Sequence, residues 1–240
     1  MKNLLMIVFW LTVGVIHAQT ATNEAVTWDY PVKPGTEEWK ALLNDADMVK
    51  ACQIPTDILK EITTTELAAL CLNYPLKIKF YAYNNVLTGI RQVAAEFNGM
   101  QELLLRKDNA QCLLALLQDN ILETLPEKNL PPIQNGELVY RHTVTEAMLA
   151  HESVIANAIP EQQRAIAFIA AKNISLKEQL PDTYSQYSVE VSAYLLCAGL
   201  KGINRSVLPT DLEQFLTTGS LRNDAQIEEL KQLYSKTINQ

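Results

Sequence analysis

Apolar residues recur along this chain at spacings of three and four, and residues that cap helices stand ahead of many of these runs. Thr36 precedes Glu37 and Glu38, with Trp39, Leu42 and Leu43 on one face, so a first helix starts there. A short second helix is predicted from Asp45 to Cys52. A third, opened by Pro55, carries Ile58, Leu59 and Ile62. Thr63 with Glu66 reads as a capping box for a fourth, striped by Leu67, Leu70 and Cys71. Residues 76–83 alternate apolar and polar, yet a lone strand has no partner, so a turn leading into a helix is preferred. Helices follow over 86–97, 100–105 and 110–122, the last apolar nearly all round, with Asp108 and Gln111 as its cap. Thr143 with Glu146, Ser175 with Glu178 and Thr210 with Glu213 repeat the capping-box spelling. They predict helices over 144–158 and 160–172 and further starts beyond, with 187–200 and 225–234 completing the set. No fixed repeat period emerges. The fold class is therefore all-α, an irregular multi-helical bundle or array.

The organisation of the chain follows from its polar and turn-rich stretches. Residues 1–18 combine a weakly positive start, an apolar run from Leu4 to Ile16 and a small residue at Ala18, the layout of a secretory signal peptide. The run is shorter than the roughly 20 apolar residues of a membrane span, and no later stretch is long and apolar enough for one. Residues 19–35 read as an extended lead-in whose aromatics pin it to the first helices. Three prolines and Asn135-Gly136 make 126–136 the best boundary, between an N-terminal helical lobe at 36–125 and a C-terminal one at 137–240. About 220 residues remain after cleavage, and an apolar fraction of 48% supports a real core. Cleavage takes away Lys2 and no acid, moving the net charge from −7 to −8. Nucleic acid is thereby disfavoured as a partner, because no basic cluster offsets the acidic balance.

Candidate chemistry is sparse. The mature chain keeps His142 and His151. His142 and Glu146 would share a helix face, but Glu146 is explained by the capping box, and two histidines nine residues apart do not converge on a metal. No metal site, catalytic residue or cofactor is assigned. Cys52, Cys71, Cys112 and Cys197 sit in apolar surroundings that suit buried thiols, although an oxidising compartment would permit a bridge, with Cys52–Cys71 the most natural pair. The Lys79–Asn85 cluster is the most suggestive surface feature. Tyr81, Tyr83, Asn84 and Asn85 combine contact area with hydrogen-bonding groups and are the candidate binding residues.

Four stretches look familiar: Tyr30 to Trp39 (Tyr-Pro-Val-Lys-Pro-Gly-Thr-Glu-Glu-Trp), Met48 to Pro55, Leu72 to Pro75 and Phe97 to Gly99. Together they resemble a segment, covering about residues 28–118, that recurs in exported proteins of Bacteroidales bacteria. The resemblance implies an exported bacterial setting and carries no activity and no catalytic residue. The reading is thus a periplasmic or surface-associated helical domain for protein interaction or structure, without catalysis of its own. A hydrolase acting on envelope polymers or peptides would instead place two of Glu123, Glu146, Glu152, Glu190 or Asp211 within about 10 Å in a cleft. A small-ligand carrier would show a closed apolar cavity with few polar anchors.

Overall fold

A computed structural model describes residues 27–121, 131–203 and 208–238. The signal peptide predicted at 1–18, residues 19–26 of the lead-in and Glu123 lie outside them. Among the described residues the chain forms thirteen α-helices, one short 3-10 helix and no strand. In order these are α1 (Glu37–Lys40), α2 (Asp45–Ala51), α3 (Thr56–Glu61), α4 (Thr64–Leu72), the 3-10 helix Lys77–Tyr81, α5 (Val86–Glu96), α6 (Asn98–Leu105) and α7 (Asn109–Ile121). Beyond 130 come α8 (Pro132–Leu149), α9 (Glu152–Asn157), α10 (Pro160–Gln179), α11 (Gln186–Ile203), α12 (Thr210–Thr218) and α13 (Ala225–Ile238). No helix among the described residues is long and apolar enough to cross a membrane.

The early elements follow their sequence signals. Thr36 accepts from the Trp39 N–H, and Thr63 and Glu66 exchange both capping-box bonds. In the lead-in, Tyr30 is buried and donates its hydroxyl to the Leu70 carbonyl at 2.9 Å, with Trp28 against its ring. Residues 76–83 contain the 3-10 turn rather than a strand, with Phe80 as its buried anchor. That turn lies hard against α5: a Cβ on Gly89 would stand 2.2 Å from the Phe80 carbonyl oxygen.

Three of the predicted capping boxes are corrected. Thr143 and Glu146 lie deep inside α8, which begins at Pro132 and takes in residues 132–136 of the proline-rich connection. Ser175 and Glu178 lie inside α10, where the Ser175 hydroxyl bonds back to the Ala171 carbonyl. Thr210 is the first residue of α12, whose cap is Pro209. The predicted helix 144–158 is in fact two, broken at Ala150 and His151, where His151 caps α9. At the centre, α11 packs against α8, α9, α10, α12 and α13. Its approach to α10 is close at Gly199, where an added Cβ would lie 3.1 Å from the Ala167 nitrogen. The buried apolar cluster includes residues from Tyr30 to Leu230, on both sides of the proline-rich stretch.

Candidate functional site

The groups that most resemble catalytic ones converge inside the protein. Glu146 on α8 is fully buried. Its Oε1 accepts from Asn173 Nδ2 at 2.6 Å and from Ser192 Oγ at 2.8 Å, and its Oε2 accepts from Lys177 Nζ at 2.5 Å. Lys177 also donates to the Ser188 carbonyl at 2.9 Å and lies 5.5 Å from the centre of the Tyr184 ring. Each supporting helix contributes residues four apart, 173 and 177 on α10 and 188 and 192 on α11, so one turn of each faces the carboxylate. Burial pushes the Lys177 amine below its ordinary value, and the Glu146 carboxylate opposes that shift. Beside this seam Thr143 Oγ1 meets Ser188 Oγ at 2.9 Å, Tyr81 hydrogen-bonds Thr143, and His142 Nδ1 meets Tyr184 OH at 2.8 Å. The seam is a polar lock between α8, α10 and α11, enclosed in the core.

His151 and three of the four cysteines are also shielded, while Cys112 is partly exposed. His151 Nδ1 takes the Ser153 N–H, and desolvation lowers its pKa. Cys52 and Cys71 are free, fully buried thiols, so the bridge that the sequence allowed is not formed. Desolvation pushes Cys52 up to about 12 and raises Cys71 further. Cys197 is also buried and raised to about 12, chiefly by desolvation. Among the described residues no group of three or more His, Cys, Asp and Glu is placed to hold a metal ion.

The predicted surface cluster is split by the fold. Tyr81 is half-buried among Tyr140, Tyr187 and Thr143. Asn85 caps α5 through the Thr88 N–H and donates to the Thr218 carbonyl, which leaves Tyr83 and Asn84 as the exposed pair. Asn85 borders a small cavity of about 10 Å³ shared with Glu190, Tyr187 and Tyr194, room for about one water.

A larger opening lies elsewhere. A surface cleft of about 620 Å³ is formed where α5, α9, α11 and α12 meet the first turn of α10. Its apolar lining comes from Ala150, Ile155, Ala156, Ala198, Gly202 and Leu216, and its polar lining from Arg91, Glu152, Gln163, Tyr194, Lys201 and Thr217. That volume falls within the range of about 300–1,000 Å³ typical of binding pockets. On α11, Tyr194, Ala198 and Lys201 fall on one face, four and then three residues apart. The Tyr194 hydroxyl donates to the Leu216 carbonyl at 2.9 Å, tying α11 to α12 across the cleft floor. Desolvation raises Tyr194 to about 12, against a smaller opposing pull from Arg91. Arg91 Nη2 reaches Glu152 Oε2 at 3.3 Å, and Lys201 Nζ reaches Glu213 Oε2 at 2.6 Å. Burial tends to raise Glu152, but His151 and Arg91 outweigh it and hold the carboxyl below the ordinary value.

Of the carboxylates that would signal a hydrolase, Glu152 lines this cleft, Glu190 the small cavity and Glu146 the sealed seam, while Asp211 pairs with Arg222. None of the cleft residues belongs to the predicted binding set. They come from positions 91 to 217, and no short sequence pattern links them. The chain matches no known protein-family model, no curated protein and no solved structure.

Proposed function

We propose that the protein is an exported helical recognition domain, without catalysis of its own, that engages a protein partner through the cleft between α9, α11 and α12. Export rests on the signal-peptide layout of residues 1–18 and on the resemblance of residues 28–118 to exported bacterial proteins. The observation that carries the recognition reading is the cleft itself: 620 Å³ of surface concavity lined by both apolar and charged side chains. Its acidic residue, Glu152, is held ionised beside Arg91, which suits a fixed electrostatic contact better than proton transfer. Tyr83 and Asn84, exposed on the turn before α5, would add contact area at a second place on the surface.

Site-specific photo-crosslinking in the producing cell tests this. A photoreactive residue at Thr217, exposed on the cleft edge, should give a discrete adduct. The exposed substitution Ala156→Trp, which fills the cleft without entering the core, should abolish that adduct. An adduct unaffected by the tryptophan, or none from Thr217, would overturn the reading.

A further inference from the structure

We infer that the side chains of Lys177 and Asn173 become joined by an amide bond, formed inside the folded protein with Glu146 as proton carrier and ammonia as leaving group. The inference is independent of the cleft. Its first ground is the surroundings of the three groups. Among the described residues, Lys177–Glu146 is the one ion pair with both side chains in the core, at 3% and 0% exposure, and Asn173 beside it is buried too. Bulk water, which would solvate the ammonium and keep it protonated, does not reach the pair. Burial lowers the pKa of the amine and so moves it toward the neutral form, whose lone pair is nucleophilic.

The second ground is the way the carboxylate is shared. Glu146 Oε2 faces the amine, Lys177 Nζ at 2.5 Å, and its Oε1 faces the amide nitrogen, Asn173 Nδ2 at 2.6 Å. One carboxyl group thus touches both the nucleophile and the atom that leaves, the placement that general acid–base catalysis requires. Two further contacts fix it: the Ser188 carbonyl accepts from Nζ at 2.9 Å, and the Ser192 hydroxyl donates to Oε1 at 2.8 Å. A buried ion pair alone would carry no such implication. The amide on the other oxygen supplies the electrophile.

The third ground is reach. Asn173 and Lys177 stand four apart on α10, and the Cβ atoms of such pairs are about 5–6 Å apart. The lysine stem spans that gap, so the link closes over one turn and leaves the backbone ladder intact. Lys177 first passes a proton to Glu146, which makes a neutral amine and a neutral acid. The Nζ lone pair forms a bond to Asn173 Cγ, and the carbonyl π pair moves onto Oδ1. Glu146 then gives its proton to Nδ2 and takes the surplus proton from Nζ. The Cγ=O bond re-forms, the Cγ–Nδ2 bond breaks and ammonia departs. An ammonium, a carboxylate and a primary amide become a secondary amide, a carboxylic acid and ammonia. Both buried charges disappear, which the core favours.

The test is mass spectrometry of tryptic peptides from the folded protein, purified from its producing cell. Trypsin cuts after a lysine with a free amine, so a joined Lys177 should be passed over. Residues 173–201 should then appear as one peptide, lighter than its sequence by one ammonia, with fragmentation placing the loss within 173–177. Lys177→Arg and Glu146→Gln should each restore the full mass, and the Glu146→Gln protein should be cut after Lys177. A full-mass peptide ending at Lys177 in the native protein would overturn the inference. So would ammonia loss with Lys177 still cut, which marks a succinimide at Asn173, or ammonia loss that survives Glu146→Gln. A loss of water that joins Lys177 to the peptide carrying Glu146 would put the bond on the other partner and equally refute it. The wild-type peptide is decisive even where a variant fails to fold.

Discussion

Replacing Glu146 by Leu is the most informative perturbation of the fold. In the native protein its two oxygens take three donors, from Asn173, Ser192 and Lys177, all in the core. Removing one partner of a buried ion pair leaves an uncompensated charge, and such changes cost about 3–5 kcal/mol. Here two neutral donors are orphaned as well, at about 1–3 kcal/mol each before the site relaxes. The expected loss for Glu146→Leu is therefore about 5 kcal/mol, a large share of the 5–15 kcal/mol typical of whole domains. Lys177→Met should cost less, about 3 kcal/mol, because Asn173 and Ser192 still hold the carboxylate. In the double variant no unpaired charge remains, so it should be more stable than Glu146→Leu alone by at least ~1 kcal/mol. Urea unfolding followed by far-UV circular dichroism measures all three. A loss below ~1 kcal/mol for Glu146→Leu, or strictly additive costs in the double variant, would refute the picture of a coupled buried lock.

Three other outcomes are expected. Alanine at Gly89, Gly199 and Gly136 should order by the space each Cβ finds: 2.2 Å from the Phe80 backbone, 3.1 Å from the Ala167 backbone, and nothing within 4 Å. Thermal melts should show a loss of about 3 kcal/mol at Gly89, a smaller loss at Gly199, and a gain of up to ~1 kcal/mol at Gly136, which lies inside α8. A disulfide-exchange reagent at mildly alkaline pH should label Cys112 promptly, because Cys52, Cys71 and Cys197 are sealed in the core; their labelling should wait for unfolding. Glu190 has its pKa raised by desolvation and then by Asp224, so the folded state holds its proton more tightly than the unfolded chain does. Glu190→Gln should accordingly stabilise the protein at neutral pH. The gain should fade as the pH falls through the folded pKa and vanish below the ordinary carboxylate value, as read from melting temperatures across that range.

The N-terminal helices were legible because their signals are local. Thr63 and Glu66 precede the stripe Leu67, Leu70, Cys71, and nothing upstream continues that stripe into the cap. Thr143 and Glu146 have the same spelling, but the helix runs through them from Pro132, and the side chains turn to α10 and α11 instead. A capping box read without its partners cannot tell these cases apart. On the observed α10, Asn173 and Lys177 fall on the same stripe as Ile166, Ala170 and Ile174, but the predicted helix stopped at 172 and so hid that polar interruption of an apolar stripe. Buried polar residues in such places need partners, and Glu146 is theirs. Asn85 misled for the opposite reason. Its position beside two tyrosines suggested a surface, while its cap and its bond to Thr218 depend on α12, some 130 residues away.

The cleft could not have been read from the sequence, yet its placement follows from the seam. The helix that presents Tyr194, Ala198 and Lys201 to the cleft also presents Ser188 and Ser192 to Glu146 and Lys177. Two turns beyond Ser192, on the same side of α11 as the seam, lies Gly199, where α11 meets the Ala167 backbone too closely for a side chain to pass without adjustment. The buried lock fixes the rotation of α11, because its polar residues have partners in one orientation only. The glycine contact then limits sliding along α10. With rotation and register both set, the far face of α11 presents its tyrosine and lysine at a fixed separation from Arg91 and Glu152. The polar groups in the core are thus the reason a shallow helical surface can hold a defined recognition geometry at all.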